Sequence, residues 1–316
     1  MSNIRPISLL TCLYKILAKL LADRLTGVLN LIISGTQSAL IKGRIITYGV
    51  LIAQEYVHSR KLERKSRALL KLDMEKAYDR VNWDVLLEAL RCMVFWGKME
   101  KVDKMVHFFG AFSVMVNGNP KGFFKVSRGL RQGDLLSPFL FTIVAEVMSL
   151  MIRNVEERGR FYRFKVSETS PLTMTHLQYA ADTSMFCDAE VDQIINIRRF
   201  LYYCEVVLGF KVNFEKTSLV GVECSDVMLK RLAFHLGCRV EKFPLSCLGM
   251  PILDDKKPKS LWDPVLKRVN TKLDSWKVKH LSIGGRAILI QSSMTNLPVD
   301  KMSYLVMSSS VSKKIE

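Results

Sequence analysis

Two aspartates and one glycine-bearing loop have the residue types best suited to chemistry. Asp73 lies in the short β-type run at residues 68–74, and Asp182 ends a tight turn at 180–182, while the loop 131–133 reads Arg-Gln-Gly. Carboxylates on neighbouring strands can hold two Mg²⁺ ions about 3.5–4 Å apart, which stabilise the attacking and leaving oxygens of an in-line displacement. The set predicts phosphoryl transfer. For either aspartate alone, a capping or turn role stays open as the alternative.

Strands and helices around the two aspartates follow from the spacing of apolar residues. A helical pattern at 85–93 follows Asp73, and strands at 175–179 and 183–187 flank the turn that holds Asp182. Residues 139–152 are apolar nearly all round, which indicates a helix buried under the sheet. Because this alternation lacks a regular βαβ rhythm, it predicts an α+β fold with helices on one side of a palm-like sheet and further helical parts that flank it.

The first third of the chain has a basic amphipathic pattern. Thr11 is the predicted cap of a helix whose lysines, at 15 and 19, lie on its outer face. Its apolar stripe is Leu13, Ile16, Leu17, Leu20, Leu21, Leu25 and Val28. A second helical pattern covers residues 50–60. Farther along, Asn117-Gly118 between apolar runs predicts a β-hairpin near residues 112–126.

Composition excludes several classes of protein and favours one class of partner. The 316 residues are 49% hydrophobic, which excludes a disordered chain, and the net charge of +17 favours binding to nucleic acid. Seven scattered cysteines argue against a disulfide framework or metal cluster. The apolar stretches 9–33 and 137–152 are interrupted by charge or short, so we expect no membrane span. Without a secretion signal, an intracellular location is expected, in the nucleus or cytoplasm.

Several motifs occur in a fixed order along the chain. They are LDMEKAYDRV at 72–81, RGLRQGD at 128–134 with LSPF at 136–139, and LQYAAD at 177–182. Further segments are RPISL at 5–9, QSA at 37–39 with Gly43-Arg44, GFKVNFEKTSL at 209–219 and CLGMP at 247–251. Together they resemble the reverse transcriptases of non-LTR (LINE-type) retrotransposons, most closely the branch common in plant genomes. A group II intron maturase shares the palm motifs and stays as a lesser alternative.

The resemblance implies a right-hand polymerase with an antiparallel palm sheet backed by helices. Its fingers would cover residues 1–67, its palm 68–250 with a fingers-side hairpin near 112–126, and a thumb-like helical region 251–316. The implied reaction is addition of dNTPs to the 3′ end of a DNA primer on an RNA template, with two Mg²⁺ ions as cofactors. No membrane partner is expected, and the oligomeric state is left open.

Site residues carry over from the family's motifs position by position. Asp73 would bind metal through its carboxylate, and Met74 would offer a backbone carbonyl to the second ion. Tyr78 would lie under the sugar, where a bulky ring excludes a 2′-hydroxyl and selects deoxynucleotides. Gln132 and Gly133 would line the nucleotide pocket.

Three further residues complete the implied site. Asp182 would be a metal ligand, Arg44 would reach the incoming triphosphate from the fingers, and Lys216 would act as general acid to the leaving pyrophosphate. For Arg44 and Lys216, a role as solvated surface cations remains the alternative.

The turn departs from the family's pattern at one carboxylate. Reverse transcriptases have an aromatic residue followed by Ala-Asp-Asp, whereas residues 179–182 read Tyr-Ala-Ala-Asp, so Ala181 replaces a metal ligand. Leu135 also replaces a proline that generally follows Gln-Gly-Asp. These changes predict impaired or absent activity, and the alternative is a noncatalytic nucleic-acid-binding remnant of a retrotransposon. The chain begins at the opening motif, so we expect a segment shortened at both ends.

Overall fold

The computed structural model describes residues 7–64, 66–93, 111–161, 164–165, 173–247, 250–253, 262–273, 280–294, 297, 299–302, 305, 307 and 309–315. Residues 5–6 of the predicted opening motif and 248–249 of the CLGMP motif lie outside the described residues.

Helices alternate with short strands along the chain. The helices are α1 Cys12–Ile32, α2 Ile46–Glu63, α3 Ala77–Arg80, α4 Trp83–Cys92, α5 Ser137–Glu157, α6 Val191–Leu208, α7 Asp226–Leu236, α8 Asp263–Leu273, α9 Ile283–Leu289, α10 Val299–Met302 and α11 Ser309–Ile315. The strands are β1 Arg67–Leu72, β2 Ala111–Val116, β3 Asn119–Lys125, β4 Phe164–Lys165, β5 Thr173–Met174, β6 His176–Tyr179, β7 Asp182–Asp188, β8 Ser218–Val222, β9 Arg239–Val240, β10 Leu245–Cys247 and β11 Met250–Ile252.

A five-stranded sheet forms the centre of the molecule, in the order β6-β7-β1-β8-β9. The central strand β1 pairs antiparallel with β7, where Leu72 lies opposite Thr183, and antiparallel with β8. Only the edge pair β8–β9 is parallel among the sheet's pairings. The predicted antiparallel sheet is therefore confirmed for four of its five strands.

Apolar cores lie against both faces of this sheet. Leu70 and Leu72 pack into the main core with the helices α5, α6 and α7. Leu69, on the opposite face, packs with residues of α2 and with the β10–β11 pair. Helices α5, α6 and α7 back the sheet on one side, as predicted, and α2 packs against the second face.

Helix α1 buries only the C-terminal part of its predicted apolar stripe, together with two alanines outside it. Its cap is as expected, since the Thr11 hydroxyl accepts a hydrogen bond from the amide of Tyr14 at 3.4 Å. The buried residues are Ala18, Ala22, Leu25 and Leu29. Leu13, Ile16 and Leu20 are instead exposed, at 71%, 66% and 48%. Small side chains allow close helix packing, so the alanine face joins the core and the N-terminal half of the apolar stripe stays on the surface.

Helix α5 extends beyond the apolar stretch seen in the sequence. It is 21 residues long, with Pro138 in its first turn, and by length and hydropathy alone it could cross a membrane. However, 56% of its most apolar window is buried, and residues such as Ile143 and Val144 are fully enclosed by the main core. Its apolar character is therefore accounted for by burial under the sheet.

Two outlying regions have structures of their own. The β2–β3 hairpin turns at Asn117 and Gly118, both with positive φ, as their sequence predicts. Near the C-terminus, a separate apolar cluster includes Trp262, Val265 and Val269. The described residues of this C-terminal region are mainly helical. The borders given above for fingers, palm and thumb remain predictions.

Candidate active site

The two aspartates meet at one end of the central sheet. Leu72 and Thr183 form the last pair between β1 and β7, so Asp73 continues β1 directly opposite Asp182. Asp182 itself pairs with Tyr179 across the turn of the β6–β7 hairpin. Antiparallel register therefore brings together two carboxylates that are more than a hundred residues apart in sequence.

The electrostatics of Asp182 reflect this juxtaposition. Although the residue is exposed as a whole, packing around its carboxyl raises the pKa, and Lys71 opposes that rise. The Asp73 carboxylate raises the pKa of Asp182 further, because two negative charges disfavour each other at short range. A divalent cation between the two would relieve this repulsion.

Backbone hydrogen bonds fix the segment that carries Asp73. Its carbonyl accepts from the amide of Asn213 at 2.8 Å, and its amide donates to the hydroxyl of Thr217 at 3.2 Å. Met74, half-buried, forms a bridge with Val212 in the same strip of chain. The predicted metal ligands Asp73 and Met74 are thus held by the segment between α6 and β8.

Two glycines allow other segments to approach the chain just after Asp73. Gly129 has φ +90°, and a Cβ there would lie 2.6 Å from the carbonyl oxygen of Asp79. Gly209 has φ +81°, and a Cβ there would overlap the carbonyl oxygen of Arg80. Gly209 also caps the end of helix α6, a common place for glycine, whereas these close approaches could not be found from the sequence.

Tyr78 lies between the aspartate segment and helix α5. Its ring stacks on that of Phe141, with centroids 4.5 Å apart and planes 4° from parallel, and Phe141 in turn contacts Phe210. Burial raises the pKa of Tyr78. Its carbonyl accepts from the amide of Leu130 at 2.7 Å, so the ring and the following loop are positioned together.

Gln132 and Gly133 lie beside this segment. The Gln132 amide nitrogen donates to Asp79 at 2.9 Å, and the Gln132 carbonyl accepts from the amide of Ser8 at 3.0 Å. Gly133 has φ +91°, although a Cβ there would make only ordinary contacts, the nearest 3.6 Å from Ile7. Glycine at 133 is therefore required by backbone conformation rather than by lack of space.

A buried glutamine holds the turn at 180–182, which the sequence did not reveal. Gln37 is completely buried, and its side-chain oxygen accepts from the amides of Ala39 and Ala180 at 3.0 and 3.1 Å. Its backbone also bridges to Gln178 of β6. Ala180 has φ +52°, so the turn adopts a left-handed conformation stabilised by this side chain.

The two predicted cations occupy different surroundings. Arg44 donates to the carbonyl oxygens of Ile33, Ser34 and Gln37, at 2.7 Å for Ile33 and 2.6 Å for Gln37, and so closes the loop that carries Gln37. Lys216 is exposed in the turn that precedes β8. Contact with a triphosphate would require Arg44 to exchange these bonds, and the predicted roles of both residues remain predictions.

Side-chain contacts also connect α1 to the loop that carries Gln132. The Tyr14 hydroxyl donates to Asp134 at 2.9 Å, and the buried Asp134 carboxylate also accepts from the hydroxyl of Ser137 at 3.1 Å. The Arg131 guanidinium lies 5.0 Å from the ring centroid of Tyr14. Sequence periodicity did not predict this contact.

The donor set at the sheet end suits one hard cation. Two facing carboxylates are the ligands that Mg²⁺ prefers, and Mg²⁺ commonly takes only one or two from protein, with water and substrate phosphates completing its shell. Within the described part of the chain, no group of three or more His, Cys, Asp or Glu side chains could hold a metal. Ala181, half-buried beside Asp182, contributes no ligand.

Comparison with known proteins decides the family. Residues 1–252 match the family model described as reverse transcriptase (RNA-dependent DNA polymerase). This chain belongs to the reverse transcriptase family. The resemblance inferred from the motifs is confirmed, and so is the right-hand polymerase fold.

Retrotransposon proteins are among the relatives of this reverse transcriptase chain. A transposon TX1 149 kDa protein of Xenopus laevis is 33% identical over 48% of this chain and 12% of its own length. A Pol polyprotein from the type-1 retrotransposable element R2 of Popillia japonica is 30% identical over 50% and 22%. An uncharacterized mitochondrial protein of Arabidopsis thaliana is 47% identical over 25% and 62%. The chain therefore spans less than two thirds of each relative's length.

Solved telomerase structures share the fold of this reverse transcriptase chain. Apo telomerase from Candida tropicalis superposes with a TM-score of 0.52 and 14% identity, over 81% of this chain and 44% of that one. Telomerase from Candida albicans, in complex with a fragment of telomeric RNA, gives 0.51 and 12%, over 96% and 51%. At these identities the likeness concerns the fold alone.

Proposed function

We propose that this chain is an RNA-directed DNA polymerase domain whose own activity is severely reduced or absent. The reaction would be addition of dNTPs to the 3′ end of a primer directed by an RNA template, inside the cell. The observation that carries the proposal is the register of β1 and β7, which sets Asp73 opposite Asp182 in a chain of the reverse transcriptase family.

Each group of site residues would have its own role in binding. Asp73 and Asp182 would hold Mg²⁺, with the Met74 carbonyl as a ligand to a second ion, and such ions stabilise charge on the reacting oxygens of a phosphoryl transfer. Tyr78, stacked rigidly on Phe141, would form the floor under the sugar. Gln132 and Gly133 would border the incoming nucleotide.

Two cations would act on the phosphates. Lys216 is exposed and could donate a proton to the leaving pyrophosphate. Arg44 would contact the triphosphate only after releasing the carbonyls of the 33–37 loop. Of the two, Lys216 is therefore the one whose present surroundings leave its charge available.

Ala181 is the reason for the reduced activity. A methyl group cannot coordinate Mg²⁺, so the site has one carboxylate fewer to balance the charge of two ions. Since each 1.36 kcal/mol of lost transition-state stabilisation is a factor of ten, a loss of about 4 kcal/mol corresponds to about a thousandfold in rate.

Primer extension tests the proposal directly. We expect no measurable Mg²⁺-dependent extension on an RNA template by the unmodified chain, and restored extension by Ala181→Asp. The matched control is the double variant with Asp73→Ala, which should again be inactive. Robust incorporation by the unmodified chain, abolished by Asp73→Ala, would contradict the assigned role of Ala181.

A noncatalytic nucleic-acid-binding protein is the second candidate function, favoured by Ala181 together with the net charge of +17. Lysines and arginines that neutralise phosphates release counterions, so binding to primer–template should weaken steeply with salt and depend little on sequence. Binding that persists in a chain that Ala181→Asp cannot reactivate would favour this candidate. Affinity that barely changes between 50 and 200 mM salt would exclude it.

A further inference from the structure

The turn at 180–182 connects two strands that are fixed by different contacts. Strand β7 pairs with the central strand β1, and this register sets the place of Asp182. Strand β6 lies at the edge of the sheet and has four residues, which pair with β7 on one side. Because a short edge strand has few backbone hydrogen bonds, the position of residues 180 and 181 depends on the other contacts that β6 makes.

Buried polar side chains of helix α5 and strand β6 provide such contacts. His176 is buried, and its Nε2 lies 2.9 Å from the hydroxyl of Ser149 on α5. That hydroxyl donates to the side-chain oxygen of Gln178 at 3.0 Å, a shorter distance than the 3.5 Å to the Ala145 carbonyl. The hydroxyl of Thr175 lies 3.0 Å from Nδ1 of His176. We call the four side chains of residues 149, 175, 176 and 178 the His176 network.

The direction of each hydrogen bond in the His176 network follows from the protons available. A serine hydroxyl has one proton, which Ser149 donates to Gln178, so Nε2 of His176 is the donor to Ser149. A neutral imidazole has one N–H, so Nδ1 accepts from the Thr175 hydroxyl. Burial lowers the pKa of His176 to about 4, and the positive charge of Arg153 lowers this pKa further. At pH 7 the ring is therefore neutral, with its proton on Nε2.

The same face of α5 also holds the loop that carries Gln37. Glu146, one turn before Ser149, is buried, and one carboxylate oxygen accepts from the amide and the hydroxyl of Ser34 at 3.0 and 2.8 Å. The other oxygen accepts from Arg153 at 2.8 Å. Residues three apart lie on one face of a helix. Helix α5 therefore holds the loop through Glu146 and strand β6 through Ser149.

Gln178 connects the His176 network to the turn. Its amide donates to the Thr36 carbonyl at 2.8 Å, and its carbonyl accepts from the amide of Ser38 at 3.0 Å. Gln37 lies between those two residues, and its side chain accepts from the amide of Ala180 at 3.1 Å. A displacement of Gln178 would therefore move the loop residue that holds the turn.

We propose that His176 and Ser149 are positioning residues for the turn at 180–182, on which they act through Gln178. They would keep edge strand β6 against α5, so that a side chain at 181 faces the Asp73 carboxylate. The inference rests on the proposed function and deepens it, because a ligand restored at position 181 can share a metal ion with Asp73 only if the turn stays in this place.

Two buried hydroxyls of α5 provide a matched test. Ser149 and Thr142 are both completely buried, but the Thr142 hydroxyl donates to the Pro138 carbonyl of its own helix, at 3.0 Å. Amide hydrogen exchange would be followed by NMR in the unmodified chain, in Ser149→Ala and in Thr142→Val. We expect the Ala180 amide to exchange about tenfold faster in Ser149→Ala and less than about twofold faster in Thr142→Val, the scale of one lost hydrogen bond.

Amides of β1 serve as the reference for the stability of the whole fold. In Ser149→Ala their exchange should rise less than that of the Ala180 amide. Equal exchange of the Ala180 amide in Ser149→Ala and Thr142→Val would overturn the inference, and so would an increase in Ser149→Ala that is the same throughout the sheet.

Two variants of His176 separate hydrogen bonding from shape. His176→Phe keeps a planar ring but has no donor for Ser149, whereas the side-chain amide in His176→Gln can still donate there. We expect the Ala180 amide to exchange about tenfold faster in His176→Phe and to stay within about threefold of the unmodified chain in His176→Gln. Equal exchange in the two variants would contradict the role assigned to His176.

The imidazole nitrogens provide a spectroscopic test that needs no substitution. Long-range ¹H–¹⁵N correlation spectra at pH 7 should show a neutral His176 ring with its proton on Nε2. A ring protonated on Nδ1 alone, or on both nitrogens, would overturn the order of donors and acceptors on which the inference depends.

Primer extension connects the His176 network to the reaction. In the Ala181→Asp background, Ser149→Ala should raise the Mg²⁺ concentration for half-maximal extension about threefold or more, and Thr142→Val should leave it unchanged. Equal Mg²⁺ requirements in these two variants would contradict a positioning role. If Ala181→Asp does not extend a primer at all, the proposed function fails, and the exchange and NMR results still decide the roles of His176 and Ser149.

Discussion

The two halves of the candidate site differ in what their residues do for the fold. The Asp73 half is enclosed: neighbouring backbone approaches it through Gly129 and Gly209, where any side chain would collide. The turn at 180–182 is held from outside by Gln37, while its own residues Ala181 and Asp182 are partly or largely solvent-accessible.

This difference explains how the metal ligand that we propose for position 181 can be lost while the backbone framework around it is kept. No described hydrogen bond of the turn depends on the side chain at 181, so alanine there leaves the register of β6 and β7 unchanged. Residues that position the backbone are constrained by folding. Residues that only coordinate a ligand are constrained by the reaction.

The largest expected effect is at Gly209. Gly209→Ala would force a Cβ against the Arg80 carbonyl at a positive φ, so we expect a loss of about 3 kcal/mol or more in the free energy of unfolding, or no folded protein. Urea denaturation followed by circular dichroism measures it.

Gly237 supplies the control for that experiment. It also ends a helix, α7, with φ +83°, but nothing lies within 4 Å of its Cβ position. Gly237→Ala should cost only about 1 kcal/mol from conformation. Equal losses at Gly209 and Gly237 would show that close approach to Arg80 does not constrain the fold.

A smaller effect is expected at Gln37. Gln37→Ala would leave the amides of Ala39 and Ala180 without their acceptor. Because the amide of Ala180 is only partly buried and water can replace the lost acceptor there, we expect a total loss of about 1–3 kcal/mol in the free energy of unfolding. Gln54→Ala is the control, because the Gln54 side chain also makes two hydrogen bonds to backbone groups, both of Leu253 and away from the site.

Primer extension distinguishes the roles of Gln37 and Gln54 in a variant that is active. In the Ala181→Asp background, Gln37→Ala should lower primer extension through a displaced turn, and Gln54→Ala should lower stability alone. If both variants lower extension in proportion to their stability, the turn does not depend specifically on Gln37.

The smallest expected effects concern the carboxylates. Because the pKa of Asp182 is raised in the folded state, its contribution to stability is most favourable below the unfolded pKa, about 3.9, and is lost as pH rises through the folded pKa. Asp182→Asn should flatten this part of the pH profile of thermal unfolding by a few tenths of a kcal/mol.

Ala181→Asp should steepen the same pH profile and lower the stability at neutral pH, since it adds a carboxylate beside two others. Millimolar Mg²⁺ should restore that stability. The outcome against this interpretation is a profile that Asp182→Asn leaves unchanged, or a loss in Ala181→Asp that Mg²⁺ does not restore.

Sequence patterns predicted the structural elements that depend on residues close together in the chain. The strand before Asp73, the Asn117-Gly118 hairpin and the apolar helix after Pro138 all depend on short-range periodicity or turn chemistry, and the structure has each of them. The motif order also placed the two aspartates together, which the register of β1 and β7 bears out.

Contacts between residues far apart in the sequence could not be predicted in the same way. Which face of α1 is buried depends on how closely α5 approaches, and alanines at 18 and 22 proved more suitable than leucines at 13 and 20. The acceptor role of Gln37 depends on Ala180, a residue over a hundred positions away. Such contacts need the folded chain before they can be recognised.

The central position of β1 has a consequence for how the protein is made. Both of its neighbours come much later in the chain, since Leu72 pairs with Thr183 and Leu70 with Leu219. During synthesis, β1 therefore has both edges unpaired until about residue 188 has left the ribosome, and one edge unpaired until about residue 222 has followed. Such open edges invite pairing with other chains. A copy of the gene truncated between β1 and β8 should consequently yield aggregates that depend on chaperones, rather than a smaller soluble domain.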